Sequence, residues 1–105
     1  MTDIITRVYE VLQERKAADP ESSYVASLYH KGTEAIAAKV SEEAEEAIVE
    51  AMKGDAERLQ EESADLLFHL MVLWADRGVA PEDVFAILET RFGTSGHEEK
   101  AGRRK

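Results

Sequence analysis

Two long stretches of helical periodicity stand only two residues apart, and that spacing limits what this chain can fold into. Ile36, Val40, Ala44, Ala47, Ile48 and Ala51 share one face of a helix that Thr33 can cap and that runs to about Lys53, where Gly54 stops it. Asp55 can cap the following helix, which reaches about Arg77 and stops at Gly78. A connection of Gly54-Asp55 forces the two helices to fold back on each other as an antiparallel hairpin.

The rest of the chain reads as shorter elements before and after this hairpin. Ile4, Ile5, Val8, Val11 and Leu12 recur at spacings of three and four, so residues 3–18 read as an amphipathic helix. Asp19-Pro20-Glu21-Ser22-Ser23 is a breaker and loop. Tyr24 to His30 is open between a brief helix, capped by Ser22 or Ser23 and ending near Gly32, and a strand suggested by its Tyr and Val content. Pro81 opens a last helix to about Arg91, with Val84, Phe85, Ile87 and Leu88 on its apolar face. There is no internal repeat and no strong strand signal. The expected fold is all-α: a helical bundle over residues 1–92 with the hairpin at its centre, completed by dimerisation. Residues 93–105, ending in Arg103-Arg104-Lys105, are small, polar and charged, and are expected to be mobile on their own.

Composition removes several functions. At 105 residues the chain has room for one core. It has no cysteine, so neither a disulfide nor a thiolate metal site is possible. Thirteen basic against 22 acidic residues give a net charge of −9, which opposes binding to nucleic acid and to anionic membranes. The N-terminus has no signal-peptide pattern. The apolar run Leu66 to Ala75 is about half the length a bilayer requires, and His69 interrupts it. The expected location is the cytoplasm.

Against that background four acids stand out: Glu43 and Glu46 on the first hairpin helix, Glu62 and Asp65 on the second. Acids three residues apart project from one side of a helix. With Glu43 set at zero on a helix of about 100° per residue, the apolar stripe lies at roughly 20° to 80° and Glu46 near 300°, so Glu43 borders the core. Glu42 and Glu45 lie progressively further toward solvent. Glu62 borders the facing stripe of Leu59, Leu66, Leu70 and Leu73 in the same way. Beyond Asp65 the helix is apolar almost all round, which makes Asp65 the acid most committed to burial and places His69 among core residues.

If the stripes face each other, four carboxylates converge, and unpaired they would repel and protonate. A hard dication resolves the conflict, and carboxylate oxygens suit Mg²⁺ or Mn²⁺. Such a site fits hydrolysis of a phosphoanhydride, with a spare carboxylate to accept the proton of water. A di-iron centre is disfavoured, because the two Glu-x-x-His motifs it needs are absent. Plainer readings stand beside these. Glu-x-x-Glu is common on solvated helix faces. His69 fits a satisfied core histidine as well as a ligand. Lys39 can reach a phosphate or simply pair with Glu42, Glu43 or Glu46.

The Glu-x-x-Glu and Glu-x-x-Asp pairs on successive helices resemble the motif of the MazG-like all-α nucleotide pyrophosphohydrolase superfamily. Ser23-Tyr24, Leu28, Gly32, Ile36, Lys39-Val40-x-Glu42-Glu43-Ala44-x-Glu46, Glu62-x-Ala64-Asp65-Leu66-Leu67-x-His69, Val72-Leu73, Gly78 and Asp83-Val84 resemble, more narrowly, the phosphoribosyl-ATP pyrophosphohydrolase family. The resemblance covers roughly residues 4 to 92. It implies Mg²⁺-dependent hydrolysis of phosphoribosyl-ATP to phosphoribosyl-AMP and pyrophosphate, the second step of histidine biosynthesis, by a homodimer of helices. Carried over by position, Glu43, Glu46, Glu62 and Asp65 match the metal-ligand and catalytic positions, with Glu42 accessory. Lys39 and His69 fall in matched segments as substrate-binding candidates. Ser41 stands where many members have glycine. Two further readings remain open: a house-cleaning hydrolase of ordinary or damaged nucleoside triphosphates, and a non-catalytic helical dimerisation module whose acids form only a solvated face.

Overall fold

The structure, a computed structural model, describes residues 3–93, so the tail from residue 94 onward lies outside the described residues. Five α-helices follow one another: α1 Asp3–Glu14, α2 Tyr24–Lys31, α3 Thr33–Lys53, α4 Ala56–Arg77 and α5 Pro81–Phe92. A 3₁₀ turn, Arg15–Ala17, extends α1, and no strand occurs among the described residues.

Local chemistry sets the helix ends. Gly54 and Gly78 terminate α3 and α4 in the left-handed region, at φ 80° and 76°, where a Cβ would be strained. The Asp55 side chain accepts from the Arg58 amide at 3.0 Å and caps α4. Ser23 caps α2 in the same way, accepting from the Ala26 amide at 3.1 Å. That cap, with Val25, Ala26 and Leu28 buried on one side, makes residues 24–31 a helix and not a strand. Thr33 does not cap α3 as its position suggests; Gly32 occupies the cap position. The Thr33 hydroxyl instead donates to Asp76 Oδ2 at 2.6 Å, tying the start of α3 to the end of α4. Pro81 takes the first turn of α5, where its missing N–H has no bond to lose.

The core gathers at one end of the α3–α4 pair. Leu12 of α1, Val25 and Leu28 of α2, Ile36 of α3, and Met71, Val72 and Ala75 of α4 are buried together. Tyr9, Tyr29, Phe68 and Trp74 pack around them half-buried. Two phenols bind the layer by single bonds. Tyr9 donates to the Val79 carbonyl at 2.7 Å, and Tyr29 donates to the Leu12 carbonyl at 2.8 Å. Burial and the nearby Asp76 push the Tyr29 phenol up to about 12, so it remains a donor.

Toward the Gly54 turn the packing thins. Ile48 is 61% exposed and Met52 84%, and Ala51 is exposed as well, although periodicity places Ile48 and Ala51 on the core face. On α5, Val84 and Phe85 are half-buried while Ile87 and Leu88 are exposed. The physical reason is reach: α1 and α2 cover only the far end of the hairpin, where α3 begins and α4 ends.

Ile36 lies fully buried where α1, α2 and α4 meet. Ile36→Ala is expected to lower unfolding stability by about 2–5 kcal/mol in urea titration, whereas Gln60→Ala, at an exposed position of α4, should change it by less than about 0.5 kcal/mol.

Candidate active site

Midway along the hairpin, α3 and α4 bring three carboxylates to one point. Glu43 on α3 and Glu62 and Asp65 on α4 each offer an oxygen, and these lie within 4.8 Å of one another. Glu43 is 7% exposed and Glu62 9%, as expected of acids bordering apolar stripes. Asp65 is exposed, which corrects the expectation that it is the most buried of the four. The enclosed part of α4 begins one turn later, with His69, Met71, Val72 and Ala75, so Asp65 sits at the edge of the covered segment.

Each buried acid is half satisfied. Glu43 Oε2 lies 3.6 Å from Lys39 Nζ, one turn earlier on α3. Glu62 Oε2 lies 3.4 Å from an Arg58 guanidinium nitrogen, one turn earlier on α4. The other oxygen of each, Oε1, is buried without a hydrogen-bond partner. Buried carboxylate oxygens without partners are costly, and a cation placed between them removes the penalty. Two orphaned oxygens from facing helices, with Asp65 in range, therefore fit a hard divalent ion held by oxygen ligands.

Glu46 stands beside Glu62 outside that trio. Burial, then a hydrogen bond and repulsion from Glu46, then repulsion from Glu43, push the Glu62 carboxyl up to about 7, with Arg58 opposing them. Glu42 pairs with Lys39 at 3.3 Å, and that bond chiefly holds the lysine above its ordinary value. Glu42, Glu45, Glu46, Glu50 and Glu62 line an open cleft of about 370 Å³ together with Val49 and Arg58. An anionic ligand cannot enter so acidic a cleft without a cation to screen it.

Arg58 is a site residue that the acid spacing does not mark, although it precedes Glu62 by the i, i+4 interval that brings helix side chains together. His69 is in a different situation from the acids. It is 6% exposed, and both ring nitrogens are engaged. Nδ1 lies 2.8 Å from the Asp65 carbonyl, which can only accept, so Nδ1 carries the proton. Nε2 is then the acceptor of the Tyr24 hydroxyl at 2.8 Å. Tyr24 and Phe68 close on the imidazole edge-on, at ring-centroid distances of 5.8 and 5.2 Å.

Comparison with known proteins gives a consistent set of relatives. The family profile described as phosphoribosyl-ATP pyrophosphohydrolase matches residues 5–92. A phosphoribosyl-ATP pyrophosphatase of Azospirillum brasilense is 54% identical over 101 residues, covering 96% of this chain and 91% of its own. One from Geobacter sulfurreducens is 54% identical over 101 residues, with 96% and 94% covered. One from Zymomonas mobilis is 50% identical over 103 residues, with 98% and 96% covered.

The raised Glu62 value has a defined sign. Its folded value of about 7 lies above the ordinary 4.5, so the folded protein binds the proton more tightly than the unfolded chain. That contribution to stability is complete below about 4.5 and is lost as pH rises through 7. Without divalent ions, wild type should therefore lose melting temperature between pH 5 and pH 8 relative to Glu62→Gln, which has no such proton to release. Added Mg²⁺ should raise the wild-type melting temperature more at pH 8 than at pH 5, because ion and proton compete for the same oxygens.

Proposed function

The chain belongs to the phosphoribosyl-ATP pyrophosphohydrolase family, and on that premise we propose that it hydrolyses phosphoribosyl-ATP to phosphoribosyl-AMP and pyrophosphate, the second step of histidine biosynthesis. The observation that supports the reading is the pair of buried, partnerless oxygens on Glu43 and Glu62, with Asp65 alongside.

Glu43, Glu62 and Asp65 would hold a divalent cation, Mg²⁺ or Mn²⁺, with Glu46 and Glu42 as neighbours. Bound there, such an ion neutralises phosphoryl oxygens and makes water a better nucleophile. The chain's own residues do the rest. Lys39 and Arg58 hold Glu43 and Glu62 by one oxygen each and so turn the free oxygen of each toward the gap. Glu46 is the acid best placed to take a proton from the attacking water: it is exposed, adjoins Glu62, and stands outside the trio. Arg58 also forms part of the cleft wall beside the glutamate it holds. His69, with both nitrogens engaged, fits a structural role better than direct contact with substrate.

We place the active unit in residues 1–92 and read it as a cytoplasmic homodimer. No helix among the described residues is long and apolar enough to cross a membrane. The exposed Ile48, Met52 and Leu67 of the hairpin, with Ile87 and Leu88 of α5, supply apolar surface for a second copy.

A pyrophosphate-release assay over a panel of triphosphates tests the reading. Phosphoribosyl-ATP should be the preferred substrate, turnover should stop on chelation, and Mg²⁺ should restore it. Glu43→Gln and Asp65→Asn should each lower kcat by about a hundredfold or more. Full-rate release by either variant would refute the metal site. Wild type that cleaves common triphosphates but ignores phosphoribosyl-ATP would refute the substrate.

A further inference from the structure

A second cavity, of about 540 Å³, is lined by Arg15, Ser22, Ser23, Tyr24, Val25 and Phe68. It lies where the 3₁₀ turn after α1 meets the start of α2 and the middle of α4. Nothing in the chemistry described so far uses it. Phe68 stands one helical turn beyond Asp65, about 4.5 Å along the α4 axis, so the cavity is next to the acids. Tyr24 joins the two places. It lines the cavity, and its hydroxyl bonds His69, whose Nδ1 is held by the Asp65 carbonyl.

The cavity differs from the acid cleft in charge. The cleft is lined by five glutamates and one arginine, whereas this cavity has a single ionisable wall residue of fixed charge, Arg15, and no carboxylate. Lys39 is committed to Glu42 and Glu43, and Arg58 to Glu61 and Glu62. Among the described residues no carboxylate pairs with the Arg15 guanidinium, in a chain whose net charge is −9. A guanidinium without an acid, at the rim of a cavity floored by Val25 and Phe68 and flanked by an aromatic ring, suits a phosphate monoester carried on an organic group.

Resting on the functional reading above, we propose that this cavity receives the uncleaved end of the substrate, with Arg15 binding the 5′-phosphate of its phosphoribosyl group and Tyr24 facing the base. Phosphoribosyl-ATP carries two anionic ends. The triphosphate is reached through a cation at the acids, and the monophosphate needs a fixed positive group some distance away. Only that second end separates this substrate from ATP, so Arg15 is a specificity residue, and the cleavage machinery does not include it.

The test compares two ligands on the full chain with Mg²⁺ present: phosphoribosyl-AMP, which keeps the second phosphate, and AMP, which lacks it. Wild type should bind phosphoribosyl-AMP at least about tenfold more tightly than AMP, and Arg15→Gln should bring the two within about twofold. Arg91→Gln, an equal loss of charge on α5, should leave the preference unchanged. In turnover, Arg15→Gln should raise KM for phosphoribosyl-ATP about tenfold with kcat within about threefold of wild type. A preference that survives Arg15→Gln, is absent from wild type, or falls equally in Arg91→Gln overturns the site. If wild type turns over phosphoribosyl-ATP while Arg15→Gln matches it, the site fails and the activity stands. If wild type shows the Arg15-dependent preference without turnover, the activity fails and the site stands.

Discussion

A carboxylate held by one oxygen and left bare at the other is the interaction around which this molecule is arranged, and it occurs twice. On α3 the holder is Lys39 and the acid Glu43; on α4 they are Arg58 and Glu62. In each case the cation precedes the acid by one turn, so each helix brings its own counter-charge to the seam. The pairing neutralises enough charge for two glutamates to lie almost wholly enclosed, and it leaves one oxygen of each without a partner. The rest of the fold holds α3 and α4 so that one oxygen each of Glu43, Glu62 and Asp65 lie within 4.8 Å of one another.

The division of the hairpin into a packed end and an open end follows from that requirement. Leu12, Val25, Leu28, Ile36, Met71, Val72 and Ala75 supply rigidity where α1 and α2 cover the helices. The acids stand just past that cover, close enough for the core to fix their backbones and far enough for a polyanion to approach. His69 marks the boundary. It belongs to the enclosed part, but its Nδ1 proton reaches back to the carbonyl of Asp65, and its Nε2 receives the hydroxyl of Tyr24 from α2. Through it the second helix is tied to the turn that carries an acid.

Much of this could be read in the sequence, for identifiable reasons. Gly54, Asp55 and Gly78 act locally, so the ends of α3 and α4 follow from their own chemistry. Burial of Glu43 and Glu62 follows from angular position beside apolar stripes. Asp65 was misjudged because an apolar helix is buried only where other elements reach it, and no periodicity in α4 shows where α1 and α2 stop. Ile48 and Ala51 were misplaced for the same reason. Thr33 had the composition of a cap, yet its hydroxyl serves Asp76 from the other helix of the pair, a contact no local pattern contains. Arg58 has only its i, i+4 spacing from Glu62 to mark it in the sequence, and exposed helices carry many such pairs.

The Gly54-Asp55 turn has a consequence beyond joining two helices. Glu46 and Glu62 stand equally far from Gly54 on its two sides, as do Glu43 and Asp65, and so do the core residues Ile36 and Val72. The chain is laid out as a palindrome of positions about one glycine, with chemistry near the fold line and packing farther out. Length at that point is therefore a shared coordinate for both. One residue inserted there would slide every facing pair out of step at once, whereas the same insertion after Gly78 would leave all of them in place. A chain built on this hairpin has almost no freedom in how many residues it uses to turn the corner.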